Sequence, residues 1–200
     1  LTPITSGKIF YKGKNVLKMN KEDLFNFRKE VQIIFQDPYS SLNPRISIGN
    51  SIKEPMCVHK RFSSDKERKE EVLKILEKVG LKTEDYNKYP HQFSGGQRQR
   101  ICIARALAMK PKFIICDESV SALDVSVQAQ VLNLLNELKK DFGLTYIFIS
   151  HDLSVIKYMC DRMVIMNKYG KIERYGDCDE IYEDPQTEYT RSLIDAIPKV

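Results

Sequence analysis

Histidine is scarce, cysteine shows no paired spacing and no long apolar run exists, and each shortage removes a class of protein. Only three histidines occur in 200 residues, too few for a His-rich metal centre. The five cysteines, Cys57, Cys102, Cys116, Cys160 and Cys178, are an odd number without a C-x-x-C pair. That pattern fits reduced thiols in a cytoplasmic protein better than a disulfide scaffold or a zinc site. No stretch approaches the ~20 consecutive apolar residues of a membrane-spanning helix, so any membrane role is expected to come through a partner. The chain opens on the polar, turn-like LTPITSGK, which carries no secretory signal. Neither an internal repeat nor a low-complexity linker interrupts it.

What is present is an ordinary globular composition, 42% hydrophobic and 30% charged, enough for one domain or one domain with a sub-lobe. The net charge of +5 comes from interleaved signs, as in KRFSSDKERKEE from Lys60 to Glu71. Interleaving reads as a solvated helix face rather than a nucleic-acid patch.

Strand-like and helix-like segments alternate in the second half, the pattern of an α/β fold with parallel strands. Gly7–Val16 has β character with a turn at Lys12–Lys14, and Val31–Phe35 is a short apolar strand ended by Asp37-Pro38. From Leu42 to Phe93 the pattern is mostly helical. Ser64 followed by Glu67 is a capping box, Val72, Ile75, Leu76 and Val79 form one apolar face, and Gly80 is the stop. A second helix opens at Ser94. Phe113–Cys116 and Thr145–Ser150 read as strands buried on both faces. A helix is expected over about 126–140 with Gly143 as breaker, then a short helix over Leu153–Met159. A hairpin over Met163–Met166 and Lys171–Arg174 follows, and one or two short helices close the chain.

Four features carry chemistry. Ser94-Gly95-Gly96-Gln97 opens a helix, with Ser94 as N-cap and Gln97 as its capping-box partner. Free N–H groups and the positive dipole end suit a phosphate, and the glycines let it approach the backbone. An ordinary capped helix after a glycine turn would look the same. The strand FIIC delivers Asp117 and Glu118 to the C-terminal edge of a parallel sheet, where ligands bind in open α/β folds. One carboxylate can support Mg2+ and the next can polarise an attacking water. A solvated acidic strand end is the plainer alternative. His151 follows TYIFIS at the same kind of edge, where an imidazole can bond a terminal phosphate or steady a carboxylate; a loop histidine is the alternative. Gln36 ends VQIIF, and its amide oxygen can reach a metal ion or a water.

In combination these residues resemble the ABC ATPases. FSGGQRQR, Phe93 to Arg100, resembles the ABC signature; FIICDE resembles the Walker B strand with its catalytic glutamate. SALD, Ser121 to Asp124, resembles the D-loop, Gln36 the Q-loop glutamine and His151 the switch histidine. VQIIFQDPYSSLNPR, YPHQFSGGQRQRI, SALDVSVQAQVLNLL and EYTRSLIDAIP look like the ATP-binding subunits of oligopeptide and dipeptide permeases, a style shared by nickel and other solute importers.

The resemblance implies a P-loop NTPase-like nucleotide-binding domain: a truncated RecA-like core with a parallel sheet plus a small α-helical subdomain. It divides the chain into 1–41, the remainder of the N-terminal core with the Q-loop; 42–108, the helical subdomain with the signature; and 109–200, the core with Walker B, D-loop and switch histidine. It implies ATP and Mg2+ as cofactors, Glu118 and His151 as catalytic residues, and Asp117 and Gln36 at the metal. Gln36, Ser94, Gly95, Gly96, Gln97 and Asp124 would bind nucleotide. The implied partners are a second ABC ATPase subunit, identical or different, two membrane permease subunits and, indirectly, an extracytoplasmic solute-binding protein, with no nucleic acid. The implied location is the cytoplasmic face of the cell membrane. Residues 39–54 would touch the permease.

Against that pattern, no G-x-x-x-x-G-K-[ST] run occurs. The three Gly-Lys pairs, Gly7-Lys8, Gly13-Lys14 and Gly170-Lys171, lack both the upstream glycine and the following Ser or Thr. The chain is therefore expected to begin just after the phosphate-binding loop, to bind no ATP unaided, and to leave FIIC as an unpaired, aggregation-prone sheet edge. Ser119 stands where the family usually has proline, and Cys102 replaces a small residue. A non-catalytic module that only completes a partner's ATP site is the alternative reading. A soluble ABC ATPase of ribosomes or DNA would want paired domains or a basic stripe, and neither is seen.

Overall fold

The computed structural model describes residues 4–196, so the outermost residues of the opening LTPITSGK and the end of the closing EYTRSLIDAIP lie outside it. The chain opens with a tight hairpin, β1 (Phe10–Tyr11) and β2 (Lys14–Asn15). Lys12 and Gly13 both have positive φ, 48° and 77°, as a two-residue I′ turn requires. Helix α1 (Lys21–Glu30) follows, capped by Asn20, with acidic residues in its first turn and basic ones in its last. It buries no residue completely, and Phe27 meets Tyr11 of the hairpin edge-on with ring centres 5.3 Å apart.

The centre of the molecule is a three-stranded parallel sheet of β3 (Val31–Ile34), β4 (Phe113–Asp117) and β5 (Thr145–Ile149), in that spatial order. The order corrects the expectation of an exposed FIIC edge: β4 is the middle strand, with β3 and β5 hydrogen-bonded on either side. The free edges belong to β3 and β5, neither of which has a second neighbour among the described strands.

Burial also departs from the reading of strands buried on both faces. The row Ile34, Cys116 and Phe148 is buried, and α5 closes over that face, Tyr146 Oη donating to Leu135 O at 3.0 Å. On the opposite face Ile33 and Phe35 are 40% and 48% exposed, and Ile147 and Ile149 are 49% and 46% exposed. The described elements cover only one side of the sheet, which is why alternation appears where a continuous apolar run suggested two-sided cover.

Between β3 and β4 the chain is helical. Helix α2 (Ile48–Val58) buries Ile48, Ile52 and Met56 completely, one residue per turn. Helix α3 (Asp65–Lys78) starts at the expected capping box: Ser64 Oγ accepts from Glu67 N–H at 3.2 Å, and Glu67 Oε2 accepts from Ser64 N–H at 3.2 Å. Val72, Leu76 and Val79 are fully buried and Gly80 turns with φ 72°. Both helices pack with α4 (Gly95–Leu107), which reaches back to β3.

After β4 come α5 (Val125–Phe142), stopped by left-handed Gly143 at φ 60°, and, beyond β5, α6 (Leu153–Met159). The hairpin of β6 (Arg162–Met166) and β7 (Ile172–Asp177) follows, then α7 (Cys178–Glu183) and α8 (Glu188–Asp195). All five cysteines are free thiols. Burial pushes Cys102 up to about 11 and Cys116 up to about 12, so both stay protonated packing groups. No helix among the described residues is long and apolar enough to cross a membrane.

An uncovered edge strand with apolar side chains is a template for self-association. Ile147→Lys, which places a charge on that face at a residue already half exposed, is expected to lower concentration-dependent light scattering of the 200-residue chain. Phe148→Lys, at the buried neighbour, should instead unfold it, as read by circular dichroism.

Candidate functional site

The three strand ends lie flush. Register pairs Ile34 with Cys116, and Cys116 with Phe148, so the next residues of all three strands emerge at one edge. Gln36, Glu118 and His151, far apart in sequence, meet there. Gln36 Nε2 donates to Glu118 Oε2 at 2.8 Å, and His151 Nδ1 lies 3.6 Å from the same oxygen. The Glu118 side chain is 31% exposed and that of His151 71% exposed, so the cluster opens to solvent. Asp117, one residue earlier on the middle strand, is half-buried.

Glu118 is held in an uncommon conformation, φ 44°, which a non-glycine residue adopts at a cost of about 1–3 kcal/mol. Its backbone is pinned on both sides. Glu118 N–H donates to Ile149 O at 3.0 Å, and Glu118 O accepts from both Ser121 N–H at 3.1 Å and Ser121 Oγ at 2.9 Å.

Ser94–Gln97 form a second group. The capping box is complete: Ser94 Oγ accepts from Gln97 N–H at 3.3 Å and Gln97 Oε1 accepts from Ser94 N–H at 3.0 Å. The two glycines differ in a way the sequence does not show. A Cβ on Gly95 would meet only Leu123 Cδ2 at 3.6 Å, whereas a Cβ on Gly96 would overlap Val127 Cγ1. Gly96 thus has a packing reason for lacking a side chain, close approach of α4 to α5, beside any need of a ligand. Asp124 also acts locally by capping α5, with Oδ1 accepting from Val127 N–H at 3.0 Å and from Ser126 Oγ at 2.8 Å. The Val127 N–H, with the Ser126 hydroxyl, holds the Asp124 carboxyl below its ordinary value.

No hydrogen bond or ion pair among the described residues joins Ser94–Gln97 directly to Glu118. The link runs through the segment after Gln36. Arg98, Cys102 and Arg105 lie along one face of α4 and all touch it. Arg98 stacks over Tyr39, 5.3 Å from the ring centre, Cys102 Sγ reaches Pro38 O at 3.9 Å, and Arg105 Nη1 donates to Ser41 O at 2.5 Å. The segment is stiffened internally by Asp37, whose carboxylate accepts from Tyr39 N–H at 2.8 Å and is held below its ordinary value by that bond first. Sequence reasoning alone missed this stripe and the contacts of Ser121. The spacing of four and three along a helix was the available signal for the stripe, and the spacing of three after Glu118 for Ser121.

A model of the ABC transporter family matches residues 1–121. The chain belongs to the ABC transporter family. Among ABC transporter proteins, it is 52% identical over 195 residues to the oligopeptide transport ATP-binding protein OppF of Bacillus subtilis, covering 97% of this chain and 64% of that protein. To the dipeptide transport ATP-binding protein DppF of Haemophilus influenzae it is 50% identical over 196 residues, covering 98% and 59%. The chain thus spans about three-fifths of the length of these relatives. In fold it matches a dimeric post-hydrolysis state of the ATP-binding cassette MJ0796 bound to ADP and Pi, with TM-score 0.75 and 28% identity over 87% of this chain and 74% of that one. It also matches cbiO1 of Clostridium perfringens, part of the transporter complex cbiONQ, with TM-score 0.77 and 27% identity over 97% and 74%.

The unequal glycines give a direct test. Gly96→Ala forces overlap with a β-branched side chain that has little rotamer freedom in a helix, and overpacking costs about 1–3 kcal/mol. Gly95→Ala should cost well under that. Urea denaturation of the two variants measures the difference.

Proposed function

We propose that this chain is part of the ATP-hydrolysing subunit of an ABC importer that energises uptake of oligopeptides or dipeptides. The observation that carries the reading is the convergence of Gln36 and His151 on one oxygen of Glu118 at the sheet edge, in a chain half identical to oligopeptide and dipeptide transport ATP-binding proteins.

In this reading Glu118 takes the role of the group that polarises the attacking water. Its carboxylate is already held by the Gln36 amide, so little reorganisation is left for the reaction. His151, on the same oxygen and open to solvent, steadies that carboxylate and reaches toward a terminal phosphate. The oxygens of Asp117 and Gln36 suit Mg2+, which keeps most of its ligands as water and phosphate and needs few from protein; bound there it would neutralise charge developing on the phosphates. Ser94–Gln97 offer a capped helix start to the nucleotide of a second ABC subunit, with Asp124 beside the interface. We take residues 42–108 as the helical subdomain and 1–41 with 109–200 as the core. The assembly would comprise a second ABC subunit, two permease subunits and a solute-binding protein, with this subunit on the cytoplasmic face of the membrane. The segment gripped by α4 would face the permease.

The 200 residues contain no G-x-x-x-x-G-K-[ST] run, the motif that cradles and neutralises a triphosphate. This chain alone is therefore expected to bind Mg-ATP weakly, and a form extended to the length of its relatives to bind it well. Calorimetry on both forms checks this; micromolar binding by the short chain would relocate the phosphates. In the extended form Glu118→Gln should lower kcat for ATP hydrolysis about 100-fold or more while leaving nucleotide affinity in place. Hydrolysis at the parent rate would remove Glu118 from its role.

A further inference from the structure

We propose that Ser121 is a positioning residue that sets the carboxylate of Glu118 and the amide of Gln36 relative to each other. The proposal rests on the role given above to Glu118, but its geometry stands apart from that role.

Glu118 is neither glycine nor asparagine, yet its φ is 44°, so neighbouring bonds must hold it there. One comes from β5: its N–H donates to Ile149 O at 3.0 Å. The other two come from Ser121, whose N–H and Oγ both donate to Glu118 O, at 3.1 and 2.9 Å. A hydroxyl has one proton and two lone pairs. With its proton committed to Glu118 O, Ser121 Oγ faces Gln36 Nε2 as an acceptor at 3.5 Å. Gln36 in turn gives its shorter bond to Glu118 Oε2, at 2.8 Å. Ser121 therefore touches both ends of Glu118, the carbonyl directly and the carboxylate through Gln36.

A side chain that served only the turn would not need the second contact. Ser121 is exposed, so removing its hydroxyl leaves the core intact and loosens only this relay. The backbone N–H of Ser121 would still bond Glu118 O, so the turn survives while the Gln36 amide loses one of its two partners.

The test has two arms, each with Ser121→Ala and Ser121→Thr, the second of which keeps the hydroxyl. In the 200-residue chain labelled with 15N-glutamine, at the low concentration that selective labelling permits, the Gln36 side-chain amide should give two well-separated proton resonances. In Ser121→Ala they should move toward the free-amide position, and in Ser121→Thr they should return toward the parent. In the extended form, Ser121→Ala should lower kcat for ATP about 10-fold, in the range seen when partners behind a reacting group are lost, with KM for ATP unchanged and Ser121→Thr restoring most of the rate. An unmoved Gln36 amide in Ser121→Ala overturns the proposal whatever the rate. A moved amide with an unchanged kcat overturns the positioning role and leaves a turn residue. If the extended parent hydrolyses no ATP, the function proposed for Glu118 falls, and the amide arm alone decides whether Ser121 organises the pair.

Discussion

Everything at the candidate site depends on the register of three parallel strands. Ile34, Cys116 and Phe148 pair across the sheet, so Gln36, Glu118 and His151 leave it within a few ångströms of one another although more than a hundred residues separate the first from the last. A slip of one residue in any strand would turn its terminal side chain to the opposite face. The bond from Glu118 N–H to Ile149 O extends this control one residue past the end of β4. It ties the carboxylate-bearing turn to the strand that leads into His151.

How much of this was legible in the sequence varied with the kind of signal. Capping boxes and glycine stops were readable because they are local. Ser64 with Glu67, Ser94 with Gln97, and Gly143 all act where their spacing put them. The site residues were legible as strand ends, since an apolar run that stops at a polar residue marks an edge of a parallel sheet. Helix α1 was not readable. Its apolar residues Leu24, Phe25 and Phe27 are only partly covered, and Asn20, Glu22 and Asp23 before Arg28 and Lys29 were the local notice of it. Strand order was out of reach, because it is decided by long-range pairing and not by any property of FIIC itself. One-sided burial of the sheet was equally hidden: an apolar run on β5 looks the same whether or not something covers Ile147 and Ile149.

The glycines of the SGGQ run show how one motif can serve two physical demands. Read as a sequence, both glycines permit a phosphate to approach. In the fold, Gly96 is required by the approach of α4 to α5, where Val127 fills the space a side chain would take, and Gly95 is under no such pressure. Packing fixes where the start of α4 lies, and Asp124, capping α5, fixes the other side of the same contact. The segment that would meet a nucleotide is thus placed by apolar contact first, which is a stiffer constraint than hydrogen bonds to solvent-exposed groups.

The face of α4 that carries Arg98, Cys102 and Arg105 makes this helix a shared support. Its 13 residues span about 20 Å at 1.5 Å per residue, with Ser94 at one end and the contacts to Pro38, Tyr39 and Ser41 spread along its length. The helix that presents the SGGQ run is therefore also the one that fixes the course of the chain just after Gln36, so a change in its seat on α5 would be felt at both groups of site residues.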